Sequence, residues 1–282
     1  MSILVLPHGF HNNVGWNWTL LRMLASSGMF KVMTEKFPIV PYKVAKSCNF
    51  TFMKVNDKLV GLDTWDSIAP SGEWFEKGFF NIKPLKDLKL LIKIQWFNCE
   101  FWRKFTTETG IPVTAWTVMP NSQFRLSSFM YNVASNHTWY GMVTGRNYRF
   151  GRQEWVKWCS INNGFHTDIN CNITDTIDDY IDRLKKCKWG IILHGRKGAE
   201  KNRRESEFTS CGIPLAMNYD PQYPFDFIAG KHYVKLTKPS DLIKLKTINP
   251  EPFAIASKQL YRDHFSPSGI SKTLIKLVDR CV

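Results

Sequence analysis

No C-x-x-C pair occurs among the seven cysteines, which are scattered along the chain. That spacing excludes a zinc ribbon, and the odd count argues against a disulfide framework. Nowhere do apolar residues run to the roughly 18 that a membrane span needs. There is no internal repeat, no low-complexity tract, no Walker A loop and no G-x-G-x-x-G fingerprint. Acids are scarce beside bases: 24 Asp+Glu face 38 Lys+Arg, a formal charge of +14 over 282 residues. With 44% hydrophobic and 22% charged residues, the chain has the composition of a packed globular protein rather than a disordered one. The start, Met1 to Leu6 followed by Pro7-His8-Gly9, lacks a basic n-region. It reads as a buried strand, not a signal peptide, and the expected setting is the reducing cytoplasm.

What the sequence does hold is positive charge and aromatic rings. A surplus this large calls for a polyanionic partner: nucleic acid, an acidic membrane surface or a phosphorylated small molecule. The stretch from Arg183 to Arg204 concentrates nine basic residues against one acid, Glu200. A focused cluster suits a compact anion better than a long duplex.

The hydrophobic pattern predicts α/β architecture. In the second half, short apolar runs at 140–144, 165–169, 189–193, 213–217 and 232–236 alternate with helical patterns at 174–184, 201–210 and 240–246. Two closing helices are expected near 252–264 and 267–280. Such alternation implies a parallel sheet covered on both faces. The first half repeats the rhythm less cleanly: strands at 3–6, 59–63, 90–94 and 113–118, helices at 16–26 and 122–134, and a hairpin turn through Asn56-Asp57. With a linker near 132–137, the expectation is two Rossmann-like domains, 1–137 and 138–265, facing each other across a cleft.

Candidate chemistry gathers where strands give way to helices. The segment His194-Gly195-Arg196-Lys197-Gly198 leaves a parallel strand and leads through Lys201, Arg203 and Arg204 into a helix. Bases in a first helical turn oppose the macrodipole, and a phosphate at that N-terminus would relieve them. Arg146 and Arg149 occupy a second such loop after 140–144, and guanidinium forks suit a diphosphate. For any one of these side chains a solvated surface is the competing reading. In the first half, Pro7-His8-Gly9-Phe10-His11 follows the first strand, so His8 and His11 would line a cleft. Gly61-Leu62-Asp63-Thr64-Trp65-Asp66 sets two carboxylates three residues apart at a strand end. Asp66, then Asp63, then His8 are the candidates for a general base, and Trp65 for stacking on a sugar; turn and capping roles compete here.

The run Glu207 to Leu215, with Gly212 and Pro214, resembles the E-x-x-x-x-G-x-P signature of GT-B-type glycosyltransferases. Its approach through 178–195 and Arg203/Arg204 is similar to the exostosin-like branch, including small members from large algal DNA viruses. The likeness covers about residues 138–265. One departure stands out: family spacing would put the acid at Ser206, one residue earlier. The resemblance implies a UDP-sugar donor bound on 138–265, with Glu207 on the ribose and Arg203 or Arg204 on the diphosphate. Arg146, Arg149, Arg196 and Lys201 would add to that donor site. It implies a glycan acceptor on 1–137 contacting His11 and Trp65, and a C-terminal helix, 266–282, packing back on the first domain. It further implies transfer with inversion, xylose as the sugar, and neither metal nor cofactor. The alternative is a nucleic-acid-binding protein using the basic, aromatic-rich surface. No RNP-like motif, helix-turn-helix pattern or basic tail supports that alternative.

Overall fold

The computed structural model describes residues 1–7, 16–35, 51–63, 87–93, 100–116, 136–144, 151–168, 177–194 and 203–280. The chain divides into two units. Unit 1 comprises Met1–Asn121 with Ser266–Val282, and unit 2 is Ser122–Phe265. The boundary expected at 137/138, from the linker candidate near 132–137, adjoins residues 117–135, which lie outside the described residues.

Unit 1 opens with β1 (Ser2–Pro7), α1 (Trp16–Ser26) and β2 (Phe30–Glu35), the two strands pairing in parallel. β3 (Thr51–Val55) and β4 (Lys58–Asp63) form the hairpin that Asn56-Asp57 announces. Both turn residues have positive φ, 49° and 63°, the left-handed pair that a tight hairpin of this twist requires. Asn56 Oδ1 also accepts from the Ile3 amide at 2.8 Å, tying the turn to β1. β5 (Leu88–Lys93), α2 (Glu100–Thr109) and β6 (Val113–Ala115) complete a six-stranded sheet ordered β2-β1-β3-β4-β5-β6. Only β3 runs antiparallel to its neighbours. The sheet is therefore mixed, not purely parallel. Leu20, Leu21 and Leu24 of α1 and Ile270, Leu274 and Leu277 of the C-terminal helix Pro267–Arg280 share one buried cluster with Leu4, Leu62 and Ile92.

Unit 2 runs β7 (Trp139–Thr144), α3 (Arg152–Ile161), β8 (Phe165–Asp168), α4 (Ile177–Lys185), β9 (Cys187–Ile192), α5 (Arg203–Cys211), β10 (Leu215–Met217) and β11 (Tyr233–Lys235). A 3-10 helix (Pro239–Lys246), α6 (Glu251–Leu260) and a π-helical turn (Tyr261–Phe265) follow, and the C-terminal helix of unit 1 is α7. Every strand pair in the five-stranded sheet is parallel, in the order β11-β10-β9-β7-β8. Alternate strand residues separate into two cores. Met142, Ile192 and Met217 face α4, α5 and α6, whereas Val143, Ile191 and Ala216 face α3 and the 3-10 helix. Both faces being covered explains why these strands read as continuous apolar runs. Each unit is thus α/β, and unit 2 has the doubly wound, Rossmann-like order in which the first strand lies between the second and the third.

Local chemistry accounts for the helices. α4 has Asp178 and Asp179 in its first turn and Arg183 and Lys185 in its last, complementing the dipole at both ends. α5 ends on Gly212 at φ +74°, with the Gly212 amide donating to Thr209 O and the Ile213 amide to Phe208 O. This left-handed close satisfies the last carbonyls of the helix.

Candidate functional site

In a doubly wound sheet, ligands bind outside the carboxyl ends of the strands where successive connections turn in opposite directions. In unit 2 that switch lies between β7 and β9, because the chain passes outward from β7 to β8, then back across to β9 and on to β10. Residues 145–150 follow β7 and residues 195–202 lead from β9 towards α5, the two basic segments picked out above.

At the exit of β9 the backbone is held by two side chains. Arg152 Nε and Nη2 each donate to His194 O at 3.2 Å, and Nη2 donates to Leu193 O at 3.2 Å. The His194 amide donates to Asn218 Oδ1 at 2.6 Å, which joins the end of β9 to the end of β10. Arg152 is almost fully buried, so its guanidinium anchors backbone at this point. The imidazole of His194 meets the Tyr219 ring edge-on at 5.6 Å. Burial first, then the nearby Arg152 charge, lowers its pKa, so His194 is neutral at neutral pH.

Two carboxylates on α5 face different surroundings. Glu205 is completely buried and accepts hydrogen bonds from the hydroxyls of Tyr219 and Tyr223. Burial, followed by the Glu205 charge, raises both phenols well above their ordinary pKa, so they remain donors. Glu207, also buried, pairs with Arg204 and accepts from Tyr180 Oη at 3.2 Å. Arg204 Nη1 donates to the same hydroxyl at 3.0 Å, and its guanidinium lies 5.0 Å from the Tyr180 ring centroid. Tyr180 is held protonated chiefly by burial. Beyond β10, Asp220 pairs with Lys235 at 2.6 Å and accepts from Tyr233 Oη. These contacts draw its pKa below the usual carboxylate range.

Of the expected site residues, Arg204 and Glu207 come together, bonded to one another. Arg203 opens α5 and Asp63 ends β4, but their side chains lie outside the described residues. His8, His11, Trp65, Asp66, Arg146, Arg149, Arg196 and Lys201 lie outside the described residues altogether. Among the described residues no group of three or more His, Cys, Asp or Glu could hold a metal. Likewise, no described helix is long and apolar enough to cross a membrane. Sequence reasoning missed Glu205, Tyr219, Tyr223 and Asn218, and named His194 only as the start of the basic segment after its strand. His194 and Asn218 each stand just past a strand end, a position that could have marked them; nothing local marks Glu205.

No family model matches the chain, and no curated protein matches it. Among solved structures, the pneumococcal O-GlcNAc transferase GtfA in complex with UDP and GlcNAc is similar at TM-score 0.42 and 12% identity, over 77% of this chain and 49% of that one. The Glycosylation Associate Protein (Gap123) complex from Streptococcus agalactiae is similar at 0.42 and 9%, over 73% and 47%. A GtfA/B complex is similar at 0.43 and 10%, over 94% and 55%. The chain spans about half the length of these proteins.

Proposed function

We propose that the chain is a sugar-nucleotide-dependent glycosyltransferase of GT-B type, with unit 2 binding the donor. The observation that carries this reading is the switch point between β7 and β9, where both departing segments are basic. Arg146, Arg149, Arg196, Lys201 and Arg203 would hold the donor diphosphate there, next to the amino end of α5. Glu207 acts in this scheme by holding Arg204 against Tyr180 in the first turn of α5, a positioning role. Arg204 and Tyr180 both donate to Glu207 Oε2, and contact with the donor ribose is the other role proposed for this carboxylate.

The reaction follows from the charges. An acceptor hydroxyl attacks the anomeric carbon while a base removes its proton, and the bond to the diphosphate oxygen breaks with inversion at carbon. Asp66 is the proposed base, with Asp63 and His8 the alternatives. His11 and Trp65 are proposed contacts for a glycan acceptor. Negative charge gathers on the leaving diphosphate, and the guanidinium groups offset it in the role a metal plays in other transferases. UDP-xylose is the proposed donor, on the exostosin-like resemblance alone.

Calorimetry with UDP tests the donor site. Micromolar binding is expected, weakened at least about tenfold by Arg196→Ala or Arg149→Ala, the loss of a charge-assisted hydrogen bond. Tight binding of a single-stranded oligonucleotide with none of UDP would replace this reading by the nucleic-acid one. Asp66→Asn should abolish transfer and leave UDP affinity intact; near-normal turnover would remove Asp66 from the mechanism.

A further inference from the structure

The opposite end of unit 2's sheet, where the strands begin, carries a second basic surface that donor binding does not use. Lys186 follows α4 directly, and its Nζ stands 5.9 Å from the Trp139 ring centroid. Trp139 is also stacked on His166 at 3.9 Å and 9°. Lys246 closes the 3-10 helix with its Nζ 5.2 Å from the Tyr140 centroid and 5.8 Å from that of Phe165. The Tyr140 ring leans on the Gly164 backbone so closely that a Cβ there would meet it at 2.8 Å. Lys185 and Lys188 flank Lys186 at the same edge, with Asp182 held by Lys185 at 2.8 Å.

Apolar side chains are exposed among these lysines. Of the eight large hydrophobic residues exposed among the described residues, three lie here: Ile161 at 73%, Ile243 at 48% and Tyr140 at 39%. Ile161 ends α3, just before the turn that brings Gly164 under Tyr140. Ile243 precedes Lys246 by one turn of the 3-10 helix, so the two side chains share a face. Lysines at helix ends are explained by the dipole alone. Exposed isoleucines between them are not.

We infer that this amino-terminal edge docks unit 2 onto an anionic lipid surface. Lys186, Lys188 and Lys246 meet the headgroup charges, while Ile161, Ile243 and Tyr140 enter the boundary between headgroups and acyl chains. A nucleic-acid strand fits less well. Stacking with bases needs open ring faces, whereas Trp139 is stacked on His166 and Tyr140 packs against Gly164 and Lys246. A second copy of a chain carrying +14 would be repelled. Docking by this edge leaves the carboxyl ends of β7 and β9 on the side away from the lipid.

Co-sedimentation of the full chain with phosphatidylcholine vesicles, with and without phosphatidylserine, tests the inference. Binding is expected only with phosphatidylserine. Each lysine close to an anionic leaflet accounts for roughly fivefold in affinity, so Lys186→Gln/Lys246→Gln should weaken binding about 25-fold. Lys272→Gln/Lys276→Gln, an equal loss of charge on exposed positions of α7, should change it less than about threefold. Ile161→Ser/Ile243→Ser, at exposed sites that folding does not need, should weaken it several-fold. Equal binding to neutral vesicles, equal effects of the two lysine pairs, or no effect of the isoleucine pair would each overturn the inference. So would an oligonucleotide that binds more tightly than the vesicles and loses affinity in Lys186→Gln/Lys246→Gln.

Discussion

Arg204 and Glu207 show how one residue pair can carry both a structural and a functional expectation. The carboxylate is almost fully buried and the guanidinium nearly so, with side-chain exposures of 2% and 12%. Arg204→Ala would strand the Glu207 charge in the interior, at a cost of about 3–5 kcal/mol in urea unfolding. Replacing both partners, as Arg204→Met/Glu207→Leu, should restore most of that stability, because the desolvation of two charges disappears along with their attraction. UDP affinity measured on the double variant then reports the functional share of Arg204 separately from its structural share. Glu207 drew attention in the sequence through its spacing from Gly212 and Pro214. Glu205, two residues earlier, points into a different environment, and its partners Tyr219 and Tyr223 come from the segment after β10. No spacing rule joins an acid to tyrosines 14 and 18 residues away.

At the scale of elements, the close approach of α5 to β9 depends on Gly190. A Cβ at that position would run into one side of the Phe208 ring, which is wholly buried. Gly190→Ala should therefore cost about 1–3 kcal/mol by overpacking. Because it pushes against the helix that carries Arg203 and Arg204, it should also lower UDP affinity; a stable variant with unchanged affinity would show that α5 tolerates displacement. The strands of unit 2 were readable in the sequence because burial on both faces makes them continuous apolar runs. β2 was not: Phe-Lys-Val-Met-Thr-Glu lies at the sheet edge with four consecutive exposed residues, so neither alternation nor an apolar run marks it. α2 was missed for a related reason. It buries Trp102 and Phe105, three residues apart, within a segment rich in threonine, which favours helix weakly.

For the whole molecule, the shifted groups give stability a maximum near neutral pH. Burial comes first among the causes that lower His137, His194 and His232, while hydrogen bonds lower Asp220 and Asp241. All five bind protons more readily in the unfolded chain, so their contribution is present above the unfolded pKa values and is lost as pH falls. Decline should begin near pH 6.5 with the histidines and steepen below about pH 4 with the carboxylates. At the alkaline end the sign reverses. Burial raises Tyr180, Tyr219 and Tyr223, and pushes the thiols of Cys159, Cys187 and Cys211 up to about 12. The folded chain then holds protons that the unfolded one releases, and stability should fall as pH rises above about 8.5. Urea midpoints measured from pH 4 to pH 10, about the span of these groups, should trace both limbs; a flat acid limb would mean that the histidines are not desolvated as described.

The return of α7 to unit 1 has a consequence for how the protein is made. Ile270, Leu274 and Leu277 fill the same cluster as the first strand and the first helix, yet they are synthesised only after the whole of unit 2. Unit 2, Ser122–Phe265, is contiguous and can fold during translation as soon as it emerges. The opening strands of unit 1 must wait through the whole synthesis of unit 2 before their core can close. During that interval an unfilled apolar face on β1 and α1 is open to chaperones.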